Sequence, residues 1–493
     1  MTRTLHIFRK DVRRFRSELC AVGALTAAFA WSHAAADMPG PPRFGRAAML
    51  AYLTACLLAM AWWFLVSQLI HEESLAGNRQ FWITRPYSWR HLLAAELLFV
   101  VVFVNLPLLA AQIAILAAAG YQPFAGLPRL LWMQLAVTMV LIAPAIALAT
   151  VTRNLAQFVM SILCAVLAVY MALAALQGGG SGIDISGAPW LNRAVAVLIA
   201  CAGAALIFRW QYSRRLTDAS IIAGLCTLLL AGAFYIGIPM QAQYALRSSM
   251  LRSQDTGAVS VSIGPNVEID HSVTTPPRNP LGIMLLLSIT IAGLPGDDAA
   301  RPEMVTVSFA ASSSSRWSSG WRYASRWYPI STEAGPEMRY QQILILPRDV
   351  YRRIGSDTVT IHGSMYLSLE RQAVVSLLPG RATRIPGGGF CDVTPADSEN
   401  MNDIFCSAPF GRPYNSSSGG GVDIDRGAAG IERHNRFQLL SLWESPWPDF
   451  ALSPVFIERF RYESEPGIAF VKEDPRACIR RNFTAHVHMP AAP

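Results

Sequence analysis

The sequence predicts an α-helical polytopic membrane protein with about seven transmembrane helices and its N-terminus inside, followed by a mostly β extracytoplasmic domain. Of the 493 residues, 52% are hydrophobic and only 15% are charged, which is too apolar for an ordinary soluble protein of this length. Long apolar runs fill the first half, whereas the second half alternates apolar and polar residues with a period of two. Lipid is therefore the expected solvent for part of the chain.

Seven apolar stretches are candidate membrane spans, because a spanning helix needs about 20 mostly apolar residues. They lie at 19–36, 47–70, 92–119, 129–151, 156–176, 192–209 and 219–238. The first is either a span or a secretory signal, since it follows a basic segment and ends in three alanines. The last is either a span or a buried soluble helix, and in the second case the C-terminal domain is cytoplasmic.

Positive charge is concentrated in the first half of the chain. Residues 1–238 contain 17 Lys and Arg against 8 Asp and Glu, whereas residues 239–493 contain 24 against 25. The flank and connectors assigned to the inner side hold 13 basic residues and the outer connectors hold 4, which predicts an inner N-terminus and an outer C-terminal domain. Because these cations lie between apolar segments and not on a soluble face, we expect no nucleic-acid partner.

The first 18 residues have the pattern of an amphipathic helix. Apolar side chains recur at steps of three and four, and the cations lie largely off that stripe. Residues 1–18 are therefore predicted to lie in the membrane interface, with the bilayer as a partner, or else to be a basic flank that only orients the first span. The interfacial face consists of Leu5, Phe8, Val12 and Phe15.

Residues 239–493 are predicted to form a β-rich domain, a β-sandwich or a pair of small ones, that follows a transmembrane domain at 19–238. Apolar alternation marks strands near Val259, Val305, Val359 and Phe483. The apolar run 281–294 is either a buried strand or an eighth span, and its 14 residues are short for a span. In this outer domain Cys391 and Cys406 flank a polar segment, and a disulfide between them would join its two ends. Cys478 then has no predicted disulfide partner.

Several catalytic and cofactor motifs are missing. The only two lysines, Lys10 and Lys472, lie outside any glycine-rich phosphate loop, so we predict a non-catalytic chain that binds no nucleotide by a Walker motif. No Gly-x-Ser-x-Gly nucleophile elbow occurs. The pair His486 and His488 shares one face of a final strand, which is more typical of a polar sheet face than of a metal site. We therefore expect no cofactor and no metal in this chain.

The polar side chains within the predicted spans are interpreted as amides alone. We therefore predict no series of ionisable groups that could relay protons through the membrane. Asn105 and Gln112 share one helix face in the third span, and Gln134 lies in the fourth. They either line a pathway or form hydrogen bonds between helices, the commoner role for such residues. Pro107 and Pro144 are predicted to kink the same two spans.

The connector at 71–91 is the longest on the inner side and is rich in arginines and aromatic residues. Its aromatic side chains are either a belt at the membrane surface or anchors for a partner protein. The order of a basic helix, IFRKDVRRFRSEL, two spans, the connector phrase EESLAGNRQFWITRPYSWRHLLAAELLF and four more spans resembles the permease subunits of ABC-2 type transporters. The resemblance covers residues 1–218, and the connector phrase is similar to those of bacterial members, which implies a multi-pass protein of a bacterial inner membrane.

That resemblance implies a partner and a mechanism. In such permeases the connector is a coupling helix that binds a separate cytoplasmic ATP-binding subunit, and the permease works as a dimer or pseudo-dimer with a second permease chain. The coupling contacts implied here are Glu72, Glu73, Arg79, Phe81, Trp82 and Arg85. The outer β-rich domain departs from the plain family pattern, so a membrane-anchored extracytoplasmic binding or sensor protein is the alternative, and an intramembrane or outer-face enzyme is a third.

Overall fold

The structure is a computed structural model in which the chain forms two units. One, here called the helical unit, comprises Met1–Ile238, Ser407–Arg412 and His434–Glu458; the other, the sheet unit, comprises Pro239–Cys406, Pro413–Arg433 and Arg459–Pro493. The structure describes residues 2–36, 44–72, 88–178, 190–237, 240–250, 258–269, 283–294, 298–310, 316–323, 328–329, 337–354, 358–376, 382–384, 389–395, 401–410, 421–424, 452–463, 468–472 and 477–490.

A helix occupies each of the seven predicted spans. The helices are α1 (Thr2–Arg14), α2 (Arg16–Ala36), α3 (Phe44–Glu72), α4 (Trp89–Val100), α5 (Leu106–Ala118), α6 (Leu127–Val137), α7 (Ala143–Val151), α8 (Leu155–Gly178), α9 (Trp190–Arg214) and α10 (Thr217–Gly237). Two π-helical turns, Val101–Asn105 and Thr138–Ile142, join α4 to α5 and α6 to α7, so each of these pairs is one long helical segment.

Five of the described helical segments are long and apolar enough to cross a membrane. They are Met49–Glu72, Trp89–Ala118, Pro123–Val151, Ala194–Arg214 and Thr217–Phe234. Several apolar side chains on these helices are exposed, such as Met60, Leu228 and Leu229 at 62%, 66% and 74%. Because water disfavours such surface and lipid does not, a helical membrane protein is the architecture that fits.

The sheet unit begins with helix α11 (Met240–Met250) and contains α12 (Arg348–Ile354). The described strands are β1 (Ser260–Ile269), β2 (Ile283–Ala292), β3 (Asp298–Ala310), β4 (Arg316–Ser318), β5 (Arg322–Tyr323), β6 (Tyr328–Pro329), β7 (Glu337–Leu346), β8 (Thr358–Ser376), β9 (Thr383–Arg384), β10 (Phe390–Pro395), β11 (Met401–Pro409), β12 (Gly421–Ile424), β13 (Val455–Glu463), β14 (Ile468–Lys472) and β15 (Ala477–His488). All belong to the sheet unit except the end of β11, residues 407–409, and the start of β13, residues 455–458, which belong to the helical unit. A mostly strand C-terminal region is thus present, as predicted.

The large sheet has the order β12-β14-β8-β15-β1-β2-β7-β6, with β3 pairing β8 from one side and β4 and β5 pairing β3. A smaller sheet has the order β13-β11-β10-β9. The long strand β8 pairs antiparallel with β15 over twelve positions, from Ala477 opposite Leu369 to His488 opposite Thr358. Such a long uninterrupted ladder makes β8 and β15 the framework of the sheet.

Alternating apolar residues form the core of the large sheet, and the four predicted strand patterns are confirmed. Val259, Val305, Val359 and Phe483 are all buried in one cluster. The ambiguous run 281–294 contains strand β2, in which alternate residues are buried, so it is a strand and not an eighth span. β2 is hydrogen-bonded to β1 on one side and to β7 on the other, and its apolar character follows from the face that it contributes to the core of the large sheet.

Cysteine chemistry agrees in part with the sequence interpretation. Cys391 is in a disulfide. The side chain of its predicted partner, Cys406, lies outside the described residues, so the pairing stays a prediction. Cys478 is buried beside Met304 and Tyr366.

Candidate functional site

Two adjacent spans carry the same irregularity at matching places. Each contains a π-helical turn, and a proline follows two residues after the turn ends, Pro107 in one span and Pro144 in the other. A proline has no N–H to bond the carbonyl four residues earlier, so the hydrogen-bond ladder widens there. The indole of Trp63 donates to the Leu141 carbonyl at 3.0 Å and so satisfies a carbonyl within the second turn. The predicted kinks thus take the form of π turns.

The three amides predicted from the sequence join these two spans. Asn105 Nδ2 donates to Thr138 Oγ1 at 2.8 Å, so the last residue of one π turn bonds the first residue of the other. Gln134 Nε2 donates to Gln112 Oε1 at 2.8 Å. The structure therefore brings all three amides into one network between the spans, and hydrogen bonding between helices is their observed role.

Two oxygens of this network have no hydrogen-bond partner in the described part of the chain. They are Asn105 Oδ1 and Gln134 Oε1, both buried from solvent. A buried acceptor without a donor is destabilising, and native proteins leave few of them. These oxygens can accept N–H or O–H donors, so the network has spare capacity for neutral hydrogen bonds.

A short piece of the C-terminal half completes the network. Residues 407–410 and 452–455, here called the C-terminal insert, are described parts of the helical unit. Gln112, which is 0% exposed, donates from Nε2 to the Leu452 carbonyl at 2.8 Å. Val455 is buried among the apolar side chains of the helices. The Gln112 side chain therefore bonds both the fourth span and the insert.

The insert also contacts the turn between α5 and α6. Tyr121 Oη and Ser407 Oγ share a hydrogen bond of 2.8 Å. The Phe410 ring lies against Gly126, where a Cβ atom would come within 2.2 Å of a ring carbon, and the Arg129 guanidinium lies 5.8 Å from the ring centre. The Phe410 N–H donates to the Pro454 carbonyl at 2.7 Å, which ties the two parts of the insert together. The insert thus lies at the ends of α5 and α6, beside the turn that joins them.

The N-terminal helix packs its apolar stripe against the protein. Phe15 is buried, and its ring meets the ring of Phe99 in α4 edge-on at 6.3 Å. Phe8 stacks on Phe103 at 5.9 Å, and Val12 is half-buried in the same core. Leu5 alone of the predicted stripe is exposed, at 42%. The stripe therefore faces α4 and the following π turn over most of its length.

Charged groups of α1 lie at the end of α3, where the predicted coupling connector starts. Arg14 pairs with Glu72 at 2.7 Å. Asp11 is buried, and that burial raises the pKa of its carboxyl, although Lys10 at 3.4 Å acts in the opposite direction. Of the coupling residues predicted from the sequence, Glu72 is therefore in contact with α1. The others, Glu73, Arg79, Phe81, Trp82 and Arg85, lie outside the described residues.

The sequence interpretation missed one residue. Glu96 lies inside the predicted third span, so the assignment of amides alone to the spans was wrong. It is buried in α4, and the Tyr212 hydroxyl of α9 donates to its Oε2, whereas Oε1 has no partner among the described residues. The signal was present in the sequence, as the single acid within LLAAELLF, because an ionisable residue at membrane depth is a functional candidate by default.

Comparisons with known proteins add no relative: no protein-family model, curated protein or solved structure matches this chain. Within the described ranges, no group of three or more His, Cys, Asp or Glu side chains is placed to hold a metal ion. The chemistry available at the site is therefore hydrogen bonding by neutral amides, bending at two π turns, and one buried acid.

Proposed function

We propose that this chain is the membrane permease subunit of an ABC-2-like transporter. It couples ATP hydrolysis by a separate nucleotide-binding subunit to substrate movement across a bacterial inner membrane. The observation that supports this most is the pair of π turns in adjacent spans, joined by Asn105 and Thr138. Helices weakened at matching positions can bend together, and π turns are frequent at functional sites.

The position of the C-terminal insert supports an extracytoplasmic sheet domain. The insert contacts Tyr121 and Gly126, in the turn between α5 and α6. With the N-terminus inside and seven spans, that turn faces outwards, and so do the segments attached to it. On this topology the insert closes the outer end of the polar network, and its withdrawal opens the network to the outside.

The inner end of the same helices supports coupling to a partner. The ion pair between Arg14 and Glu72 ties α1 to the end of α3, and Phe8 and Phe15 tie α1 to α4. Helices α3 and α4 are the two that flank the connector. Force applied by an ATPase to the connector therefore reaches both spans and α1 together. The exposed apolar side chains of α8 and α10, such as Leu167 and Leu229, provide surface for lipid and for a second permease chain.

Purification in mild detergent tests the partner assignment. The full chain is expected to bring down a protein with a Walker motif and ATPase activity. The double substitution Trp82→Ala and Arg85→Ala is expected to release that ATPase, because tryptophan and arginine are the residues on which protein interfaces most depend. The measurement is ATPase activity per mole of purified chain.

The matched control removes a tryptophan and an arginine assigned to other parts of the chain, Trp31→Ala with Arg193→Ala, and should retain the ATPase. Retained ATPase in the connector double mutant would refute the coupling assignment. If no ATPase accompanies even the wild-type chain, the membrane-anchored binding or sensor protein becomes the better account.

A further inference from the structure

Glu96 lines a small cavity whose other walls are apolar. The side chains that other helices contribute are Val66, Leu69 and Ile70 of α3, Ile146 of α7 and Phe208 of α9. Glu96 itself is only 4% exposed. A carboxyl group in such surroundings has lost its hydration, and a carboxylate there is costly unless a cation or several donors compensate it.

The compensation available to Glu96 is one hydroxyl. Tyr212 donates to Oε2, and Oε1 is left without a partner among the described residues. No ion pair joins Glu96 to a Lys, Arg or His in the part of the chain that the structure describes. A single neutral donor suits a protonated acid, whose carbonyl oxygen accepts that one bond, better than a carboxylate, both of whose oxygens need donors.

The charged and titratable groups that act on Glu96 come from two helices. Tyr212 of α9 is the hydrogen-bond donor, and Asp11 is a second buried acid on α1, a helix that packs against α4. Asp11 has Lys10 at 3.4 Å, so its own charge is partly compensated. Helices α3 and α7 present only apolar side chains to the cavity. The hydroxyl of Tyr212 therefore contacts Glu96 directly, and the second buried acid, Asp11, lies on a neighbouring helix.

We propose that Glu96 is a proton-binding site of the helical unit. In the packed state Oε1 holds a proton taken from water, and Oε2 accepts from Tyr212. Loss of that proton leaves a carboxylate that needs water or a cation, so the cavity between α3, α4, α7 and α9 must open to admit one. Closing the helices thus binds a proton and opening them releases it, and the two events are linked reciprocally. The site does not depend on the proposed coupling to an ATPase.

Infrared spectroscopy of the full chain in lipid nanodiscs tests this site. At neutral pH the wild type is expected to show the C=O absorption of a protonated carboxyl group, and Glu96→Gln should lose it. Tyr212→Phe should retain the absorption but shift it to higher frequency, because the carboxyl loses a hydrogen bond. This second variant keeps the test valid if Glu96→Gln does not fold.

Two controls separate Glu96 from the other acids. Asp218→Asn removes an exposed carboxyl at the start of α10, and Asp11→Asn removes the neighbouring buried one. Both should retain the absorption. The proposal is overturned if wild type shows no protonated carboxyl at neutral pH, if Glu96→Gln retains the absorption, or if Asp11→Asn is the variant that loses it.

Discussion

Replacing Gln112 by leucine is expected to release the C-terminal insert and to lower the free energy of unfolding by about 2–4 kcal/mol. Leucine has a similar volume but no polar atoms. It would leave Gln134 Nε2 and the Leu452 carbonyl, both now bonded to Gln112, without a partner. Each unsatisfied buried group costs roughly 1–3 kcal/mol. The readouts are the thermal midpoint in detergent and the rate of protease cleavage near position 452.

Gln122→Leu is the matched control, because it makes the same exchange at an exposed position in the turn next to the insert. It should leave both the thermal midpoint and the cleavage rate unchanged. The assigned role of Gln112 would be wrong if its leucine variant melted like the wild type and showed the same cleavage near the insert.

Gly363→Ala is expected to destabilise the sheet unit by about 2–3 kcal/mol, an overpacking effect. Gly363 lies in β8 directly opposite Phe483 of β15. A Cβ atom at position 363 would come within 2.1 Å of a carbon of the Phe483 ring, and that ring is buried, so it has little room to move. The substitution therefore strains the twelve-position ladder between β8 and β15, and the measurement is the thermal midpoint of the full chain.

Gly264→Ala is the control for this prediction. It introduces the same methyl group into strand β1, where the nearest atom, Ser288 Cβ, lies at an ordinary contact distance of 3.5 Å. The control should be nearly neutral. Equal destabilisation by the two substitutions would mean that loss of glycine from a strand matters more than the ring contact.

Local patterns predicted most of the secondary structure. The seven apolar runs became helices because a run of that length can satisfy its backbone only within itself, in lipid or in a packed core. The strands near Val305 and Phe483 followed from period-two alternation, since one face of the sheet is buried. Pro107 and Pro144 marked the irregular turns because a missing N–H acts locally.

Long-range contacts could not be predicted from the sequence. The bond from Gln112 to Leu452 joins residues 340 positions apart, and no periodicity points to it. The contact between the apolar stripe of α1 and Phe99 could not be predicted either, because an apolar stripe packs equally well on lipid and on another helix. Glu96 differs from these, since a charged residue within an apolar run is visible in the sequence itself.

The central claim is that ATP hydrolysis by a separate subunit moves the helices of this chain. The most direct measurement is the rate at which Leu452→Cys, in a chain otherwise reduced to Cys391 and Cys406, reacts with a membrane-impermeant maleimide added outside right-side-out membrane vesicles that are loaded with ATP or with buffer alone. We predict that ATP raises this rate severalfold, because the insert leaves Gln112, and that the connector double mutant abolishes the response. An equal rate with and without ATP, in vesicles that retain the ATPase, would contradict the account.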